Sequence, residues 1–257
     1  MDLRIAGKRA LVLGSTGGLG GASARALAAE GCKVAVCGRQ EARVREVAAE
    51  LPGAVGIPVD LTGPQPAAHL LDAVARQLGG VDILVLNGPG PRPGTAADLE
   101  ADALTGALDP LLDVHVRLVH ALLPAMREAR WGRVLAIGSS GVAAPLPNLA
   151  ASNIGRWALA AYLKTLAAEV AQDGVTVNLV LPGRIATDRV AALDEAAAQR
   201  TGKDVETVRG ASQGDIPARR YGAPEEFGDV VAFLASARAS YVTGSAVRVD
   251  GGLVRAL

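Results

Sequence analysis

Gly14-Ser15-Thr16-Gly17-Gly18-Leu19-Gly20 lies between the apolar run Ala10-Leu11-Val12-Leu13 and an alanine-rich run from Ala22 to Glu30. The order reads as strand, glycine turn, helix. Gly14 lets the chain leave the strand tightly. Gly18 and Gly20 let the backbone approach a ligand closely, and the new helix aims unpaired N–H groups at it. Such a place suits a diphosphate, and at the head of an alternating strand/helix chain it reads as a dinucleotide site.

Outward from that turn, strand-like apolar runs recur at Arg9–Leu13, Lys33–Cys37, Gly53–Val59, Val81–Leu86, Arg133–Ile137, Thr176–Leu181 and Ala246–Val249. Helical runs separate almost all of them, the pattern of right-handed crossovers. The expected fold is α/β, a single-domain Rossmann-type doubly wound parallel sheet of about seven strands with helices on both faces, spanning 1–257. Its ligand belongs outside the carboxyl ends of the strands. Two stretches break the regularity there. Pro89-Gly90-Pro91-Arg92-Pro93-Gly94 is a rigid loop after the fourth strand. The polar, alanine-rich segment 185–216 is helical with no strand following, which reads either as a lid over the site or as a surface insertion.

Composition agrees with one domain. Of 257 residues half are hydrophobic and only 3% aromatic, which suits parallel strands under closely packed helices. Net charge is zero and no basic block occurs, so neither nucleic acid nor a membrane surface is an expected partner. Met1 to Gly7 lack the apolar core of a signal peptide, and the expected location is cytoplasmic. Cys32 and Cys37 bracket a strand and read as free thiols. His69, His115 and His120 are too few and too scattered for a metal site.

The second strand ends Val36-Cys37-Gly38-Arg39, with an arginine where NAD-binding units keep an acid. NADP(H) is therefore favoured over NAD(H), a solvated surface arginine being the bland alternative. Asp60 could accept the adenine amino group or cap the next helix. Asn87-Gly88 would lie beside the adenosine ribose or brace the strand ends.

Taken together, these motifs resemble the short-chain dehydrogenase/reductase superfamily, and within it the β-ketoacyl-acyl-carrier-protein reductase group. The resemblance is carried by Gly14, Gly18 and Gly20, Asp60-Leu61, Asn87-Gly88, Ile137-Gly138-Ser139-Ser140, Pro182-Gly183-Arg184-Ile185-Ala186-Thr187, and Tyr241-Val242-Thr243-Gly244 running into Val249-Asp250-Gly251-Gly252. It covers almost the whole chain. It implies cofactor contacts from Gly14, Ser15, Thr16, Gly18, Leu19, Gly20, Arg39, Asp60, Leu61, Asn87, Gly88, Arg156, Pro182, Gly183 and Ile185. It also implies a homo-oligomer, tetramer or dimer, built through helices around 104–130 and 150–172 and the last strand.

The family's chemistry rests on a serine, a tyrosine thirteen residues later, a lysine four beyond that, and an asparagine on the preceding helix. Ser139 matches the first. Ser152 and Arg156 stand at the tyrosine and lysine positions, and Leu111 stands at that of the asparagine. A serine is a far weaker acid than a tyrosine. Arg156 keeps the charge and several donors but cannot readily shuttle a proton. Ser139, Ser152 and Arg156 are the candidate catalytic residues. His115, one helical turn after Leu111, could stand in as an acid or be a packed histidine; Tyr162 and Lys164 lie too far along.

Three functions follow. One is an NADP(H)-dependent oxidoreductase acting on a carbonyl or alcohol, its proton coming from water or from the substrate itself. Another is a dinucleotide-binding protein without catalysis, a sensor or structural partner. A weaker third borrows from dehalogenating relatives, which lose the glycine turn that this chain keeps. The apolar residues of Pro89–Gly94, Val142–Leu149 and the segment 185–216 give the small-molecule substrate a fairly apolar pocket.

Overall fold

The computed structural model describes residues 1–255. All seven expected strands form: β1 (Arg9–Val12), β2 (Lys33–Gly38), β3 (Val55–Pro58), β4 (Ile83–Leu86), β5 (Gly132–Ile137), β6 (Val175–Pro182) and β7 (Ala246–Val249). They pair in parallel in the order β3-β2-β1-β4-β5-β6-β7. The order reverses between β1 and β4, which meet at Ala10↔Ile83, Leu11↔Leu84 and Val12↔Val85. A crevice opens at the carboxyl ends there, as doubly wound sheets require.

The strands bury both faces, and alternate residues divide between two cores. Ala10, Val12, Val34, Val36, Ile83 and Val85 face one side, where α1 (Gly18–Ala29), α2 (Glu41–Glu50) and α9 (Pro224–Ala235) cover them. Leu11, Leu13, Ala35, Cys37, Leu84 and Leu86 face the other, under α3 (Pro66–Gln77), α5 (Val114–Glu128) and α6 (Ala150–Val170). The period of two thus sorts side chains into layers. Small residues set the helix spacing: a Cβ at Gly228 on α9 would lie 2.6 Å from the Ala22 carbonyl oxygen on α1. Cys32 and Cys37 fall in opposite cores and are free thiols, both pushed up by burial.

Between α4 (Ala101–Leu108) and α5 the helix widens into a π-turn at Asp109–Asp113. Pro110 lies within it. A proline donates no backbone hydrogen bond and crowds the preceding turn, so a wider turn is one way past it. The segment 185–216 holds α7 (Asp188–Thr201) and α8 (Val205–Asp215). A buried carboxylate ties α7 to the chain on either side: Asp194 takes Arg184 Nη1 at 3.0 Å and the Tyr221 hydroxyl at 2.9 Å. No helix among the described residues is long and apolar enough to cross a membrane.

Candidate active site

The glycine turn is built much as its residues imply, with two changes of role. Gly14 has φ +57° and Gly18 φ +53°, both in the left-handed region where glycine alone is at ease. Gly17 forms the N-cap of α1 and offers no side chain to it. The first bond inside the helix runs from Gly21 N to Gly17 O at 2.8 Å, so the N–H groups of Gly18, Leu19 and Gly20 form the helix's positive end. A Cβ at Gly17 would meet nothing within 4 Å, and one at Gly18 only Thr187 Cγ2 at 3.9 Å. The turn is open on that side, and a groove of about 450 Å³ beside it is lined by Gly18, Ala22, Arg25, Thr187, Asp188 and Asp229, among others.

Gly20 faces inward instead. Its Cβ would lie 2.3 Å from Gly14 O and 2.9 Å from Leu13 O, so its smallness serves helix-on-strand packing, and only its N–H is left for a ligand. Ser15 is likewise a brace. Its hydroxyl donates to Val12 O (2.7 Å) and accepts from Cys37 N (2.8 Å), while its own N–H donates to Cys37 O (2.9 Å). The serine fastens β1 to β2 from below, leaving no donor for a cofactor. Thr16 lies over the end of β2, where a Cβ on Gly38 would come within 2.6 Å of its methyl.

Arg39 follows β2, exposed and without a carboxylate partner among the described residues. It lies close enough to Asp60 to help hold that carboxyl below its ordinary range. The larger cause is Thr62, whose N–H (2.9 Å) and hydroxyl (2.7 Å) both donate to Asp60 Oδ1. Asp60 therefore closes a short turn rather than capping α3, whose N-cap is Gln65. Leu61 is buried beside it. Asn87 Nδ2 donates to Leu13 O at 3.2 Å and so bridges β4 to β1 across the switch point. Gly88 leaves room for the π-turn, since its Cβ would sit 2.7 Å from Pro110 O. Pro182, Gly183 and Ile185 lead from β6 to α7; Gly183 packs on Asp250, and Ile185 is buried and bridged to Gly222.

Ser139, Ser152 and Arg156 arrive at the same edge. Ser139 begins a short 3-10 turn after β5 and its Oγ accepts from Gly141 N at 3.0 Å, leaving its proton free to donate. Arg156 Nη1 donates to Ile137 O at 2.7 Å, which holds α6 over the end of β5. Ser152, one helical turn earlier, shares Arg156's face. Two residues that the sequence reading passed over position them. Asn153 staples the loop before α6 to the helix through Leu146 N (3.2 Å) and Leu146 O (2.9 Å), and Trp157 Nε1 donates to Gly141 O at 3.0 Å.

Leu111 lies on the π-turn, buried and packed against α6: a Cβ on Gly155 would come within 2.9 Å of Leu111 Cδ1. His115 is buried next to it. Its Nε2 lies 3.4 Å from Asn87 O, and its Nδ1, near the Leu111 carbonyl, has no well-formed hydrogen bond. Burial, and then the Arg156 charge, push its pKa down to about 4. His115 is a packed, neutral ring and no proton donor at neutral pH. Lys164 Nζ is spent on Gly244 O at 2.8 Å, far along α6.

The histidine makes a checkable prediction. The unfolded chain takes up a proton near pH 6.5 that the folded chain refuses until about pH 4. The resulting stability is complete above the unfolded value and is lost as pH falls through that window, by about 3 kcal/mol. Urea unfolding at pH 7 and pH 4.5 should show His115→Gln losing less stability on acidification than the parent. Equal losses would place the acid sensitivity elsewhere.

Comparison with known proteins gives a consistent result. Residues 14–254 match the family model described as enoyl-(acyl carrier protein) reductase. The 3-oxoacyl-acyl-carrier-protein reductase FabG of Vibrio cholerae is 34% identical over 254 residues, covering 98% of this chain and 99% of that one. The crystal structure of L-sorbose reductase from Gluconobacter frateurii with NADPH and L-sorbose superposes with a TM-score of 0.93 at 31% identity, each chain fully covered. A variant of the actinorhodin polyketide ketoreductase with NADPH gives 0.90 at 31% identity, over 96% of this chain and 97% of that one.

Proposed function

Because the chain belongs to the short-chain dehydrogenase/reductase superfamily, we propose that it is an NADP(H)-dependent oxidoreductase acting on a carbonyl or alcohol at an atypical Ser139, Ser152 and Arg156 site. The observation that carries this reading is the glycine turn: an uncapped helix start, open toward the groove, with Arg39 unpaired at the end of the next strand. These residues fit a phosphorylated dinucleotide. The N–H groups of Gly18, Leu19 and Gly20 would hold the diphosphate, Arg39 the 2′-phosphate, and Asp60, through its second oxygen, the adenine amino group. The bound nicotinamide would supply or accept the hydride. Two similar reductases of known structure hold NADPH.

The chain's own residues then handle the substrate oxygen. Ser139 and Ser152 donate hydrogen bonds that orient it. Arg156 keeps one N–H on Ile137 O and offers the others to the oxygen as negative charge gathers there, a role that asks for charge rather than acidity. Burial, with Arg189 adding to it, draws the guanidinium pKa down to about 10, so the cation persists at neutral pH. Without a phenol at position 152, the proton comes from water or from the substrate.

Titration with NADPH and NADH, followed by nicotinamide fluorescence, tests the cofactor assignment. Arg39→Ala should weaken NADPH by about tenfold or more, the scale of one charge-assisted phosphate contact, and leave NADH almost unchanged. Equal effects on both nucleotides would return Arg39 to an ordinary surface role. A second reading, dinucleotide binding without turnover, is favoured by Leu111, which brings an apolar side chain to the family's asparagine position. Tight NADPH binding with no hydride transfer to any ketone, aldehyde or enone, or from any alcohol, would select it.

A further inference from the structure

We propose that Asn153 and Trp157 are positioning residues, which grip the backbone of Gly141 and through it aim the Ser139 hydroxyl at the oxygen that Ser152 and Arg156 address. The proposal rests on the reductase reading and adds two residues of α6 to the machinery of that site.

Gly141 is held at three points. Its N–H donates to Ser139 Oγ at 3.0 Å, which occupies one lone pair of the hydroxyl and leaves the O–H to turn outward. Its carbonyl accepts from Trp157 Nε1 at 3.0 Å. Its α-carbon faces Asn153: a Cβ there would lie 2.6 Å from Asn153 Oδ1 and 3.2 Å from Ser139 Oγ. A glycine is what lets the amide and the hydroxyl approach this closely.

Asn153 is itself fixed. A primary amide has a donor end and an acceptor end, and both go to one residue: Nδ2 donates to Leu146 O at 2.9 Å, and Leu146 N donates to Oδ1 at 3.2 Å. Turning the amide over would set like against like at both places. The orientation that brings Oδ1 against Gly141 is therefore the one the loop selects. Leu146 Cγ closes the same space, 3.6 Å from where a Cβ on Gly141 would stand. Loop and turn are thus packed on one amide.

The two anchors are well placed along the helix. Asn153 follows Ser152 in the chain, and Trp157 follows Arg156. They stand one turn apart, about 6 Å along the axis, so the Ser139 turn can neither slide along α6 nor pivot about a single bond. Losing either would let Ser139 drift from Ser152 and Arg156 together. Such drift matters because a misplacement of about 1 Å can remove most of a rate. With a serine at position 152, the substrate oxygen is reached by short side chains, which leave little slack.

Initial rates on the best substrate of a carbonyl panel, measured for Ser139→Ala, Asn153→Ala and the double variant, test the proposal. Asn153→Ala should lower kcat about tenfold, with NADPH affinity at the parent value. In the Ser139→Ala background the same change should cost less than about twofold, because the hydroxyl it aims is gone. Asn153→Asp loses only the donor to Leu146 O, and Trp157→Phe only the bond to Gly141 O; both keep the bulk of the side chain and should fall in between. An equal factor in both backgrounds would mean that Asn153 merely supports the fold, and overturns the proposal. Hydrogen exchange of the peptide carrying Gly141 needs no substrate. Its amide should exchange several-fold faster in Asn153→Asp and Trp157→Phe than in the parent, and unchanged exchange also overturns the proposal. If the unaltered protein turned over no substrate, the reductase reading would fall instead, and the exchange measurement alone would decide whether α6 holds the turn.

Discussion

Arg156→Met is expected to lower kcat by about two to three orders of magnitude, the usual cost of removing a preorganised donor to a developing oxyanion. Methionine fills the space of the aliphatic stem, stops short of the guanidinium, and buries no charge. The folded protein loses only the bond to Ile137 O at 2.7 Å, and it sheds a cation that burial and Arg189 both disfavour. Its melting temperature should therefore stay close to the parent value. Arg156→Lys keeps the charge without the planar fork and should fall between the two. The measurement is initial-rate kinetics on the best substrate of a carbonyl panel, with stability followed alongside. A methionine variant with parental kcat would remove Arg156 from the chemistry.

Gly20→Ala should cost about 3 kcal/mol of folding stability, or about 6–12 °C in melting temperature. The added methyl would have to occupy space 2.3 Å from one carbonyl oxygen and 2.9 Å from another, both backbone. Neither can yield as a flexible side chain would. Pushing α1 away from β1 would also displace the N–H groups at its start, so NADPH affinity should fall along with stability. Gly17→Ala is the control. Its backbone is extended and its Cβ meets nothing within 4 Å, so denaturant unfolding should show little change. If the two variants behave alike, the close packing at Gly20 does not set the position of the helix.

The sheet was legible because a buried parallel strand leaves a short, wholly apolar run, as Ala10 to Leu13 does; which of its residues face which core only the structure shows. The edges were less clear: β3 begins at Val55 rather than Gly53, since turn and strand share glycine there. Ser139, Ser152 and Arg156 could be placed by spacing, as strand ends and helix turns convert sequence distance into position. What escaped depends on contacts between distant segments. Nothing local to Ser15 says that its hydroxyl spans two strands. Arg189 rests against Gly90 and Pro91, about a hundred residues earlier. The π-turn did leave a signal in Pro110, which interrupts a run otherwise helical from Ala101 to Glu128.

The pairing of β1 with β4 also has a consequence for how the molecule assembles. β2 and β3 join β1 through neighbouring segments, and β5, β6 and β7 add to β4 in turn. The seam between the two sets brings Ala10 to Ile83, the longest span that any strand pairing closes, with Leu179 to Ala246 next, and that loop closes before any contact repays the lost entropy. Docking of two preformed halves is thus the slow event expected in refolding. Asn87 and Leu13 meet across that seam, beside the glycine turn. A nucleotide bound there would act as a clasp, slowing separation of the halves and raising resistance to proteolysis in proportion to its occupancy.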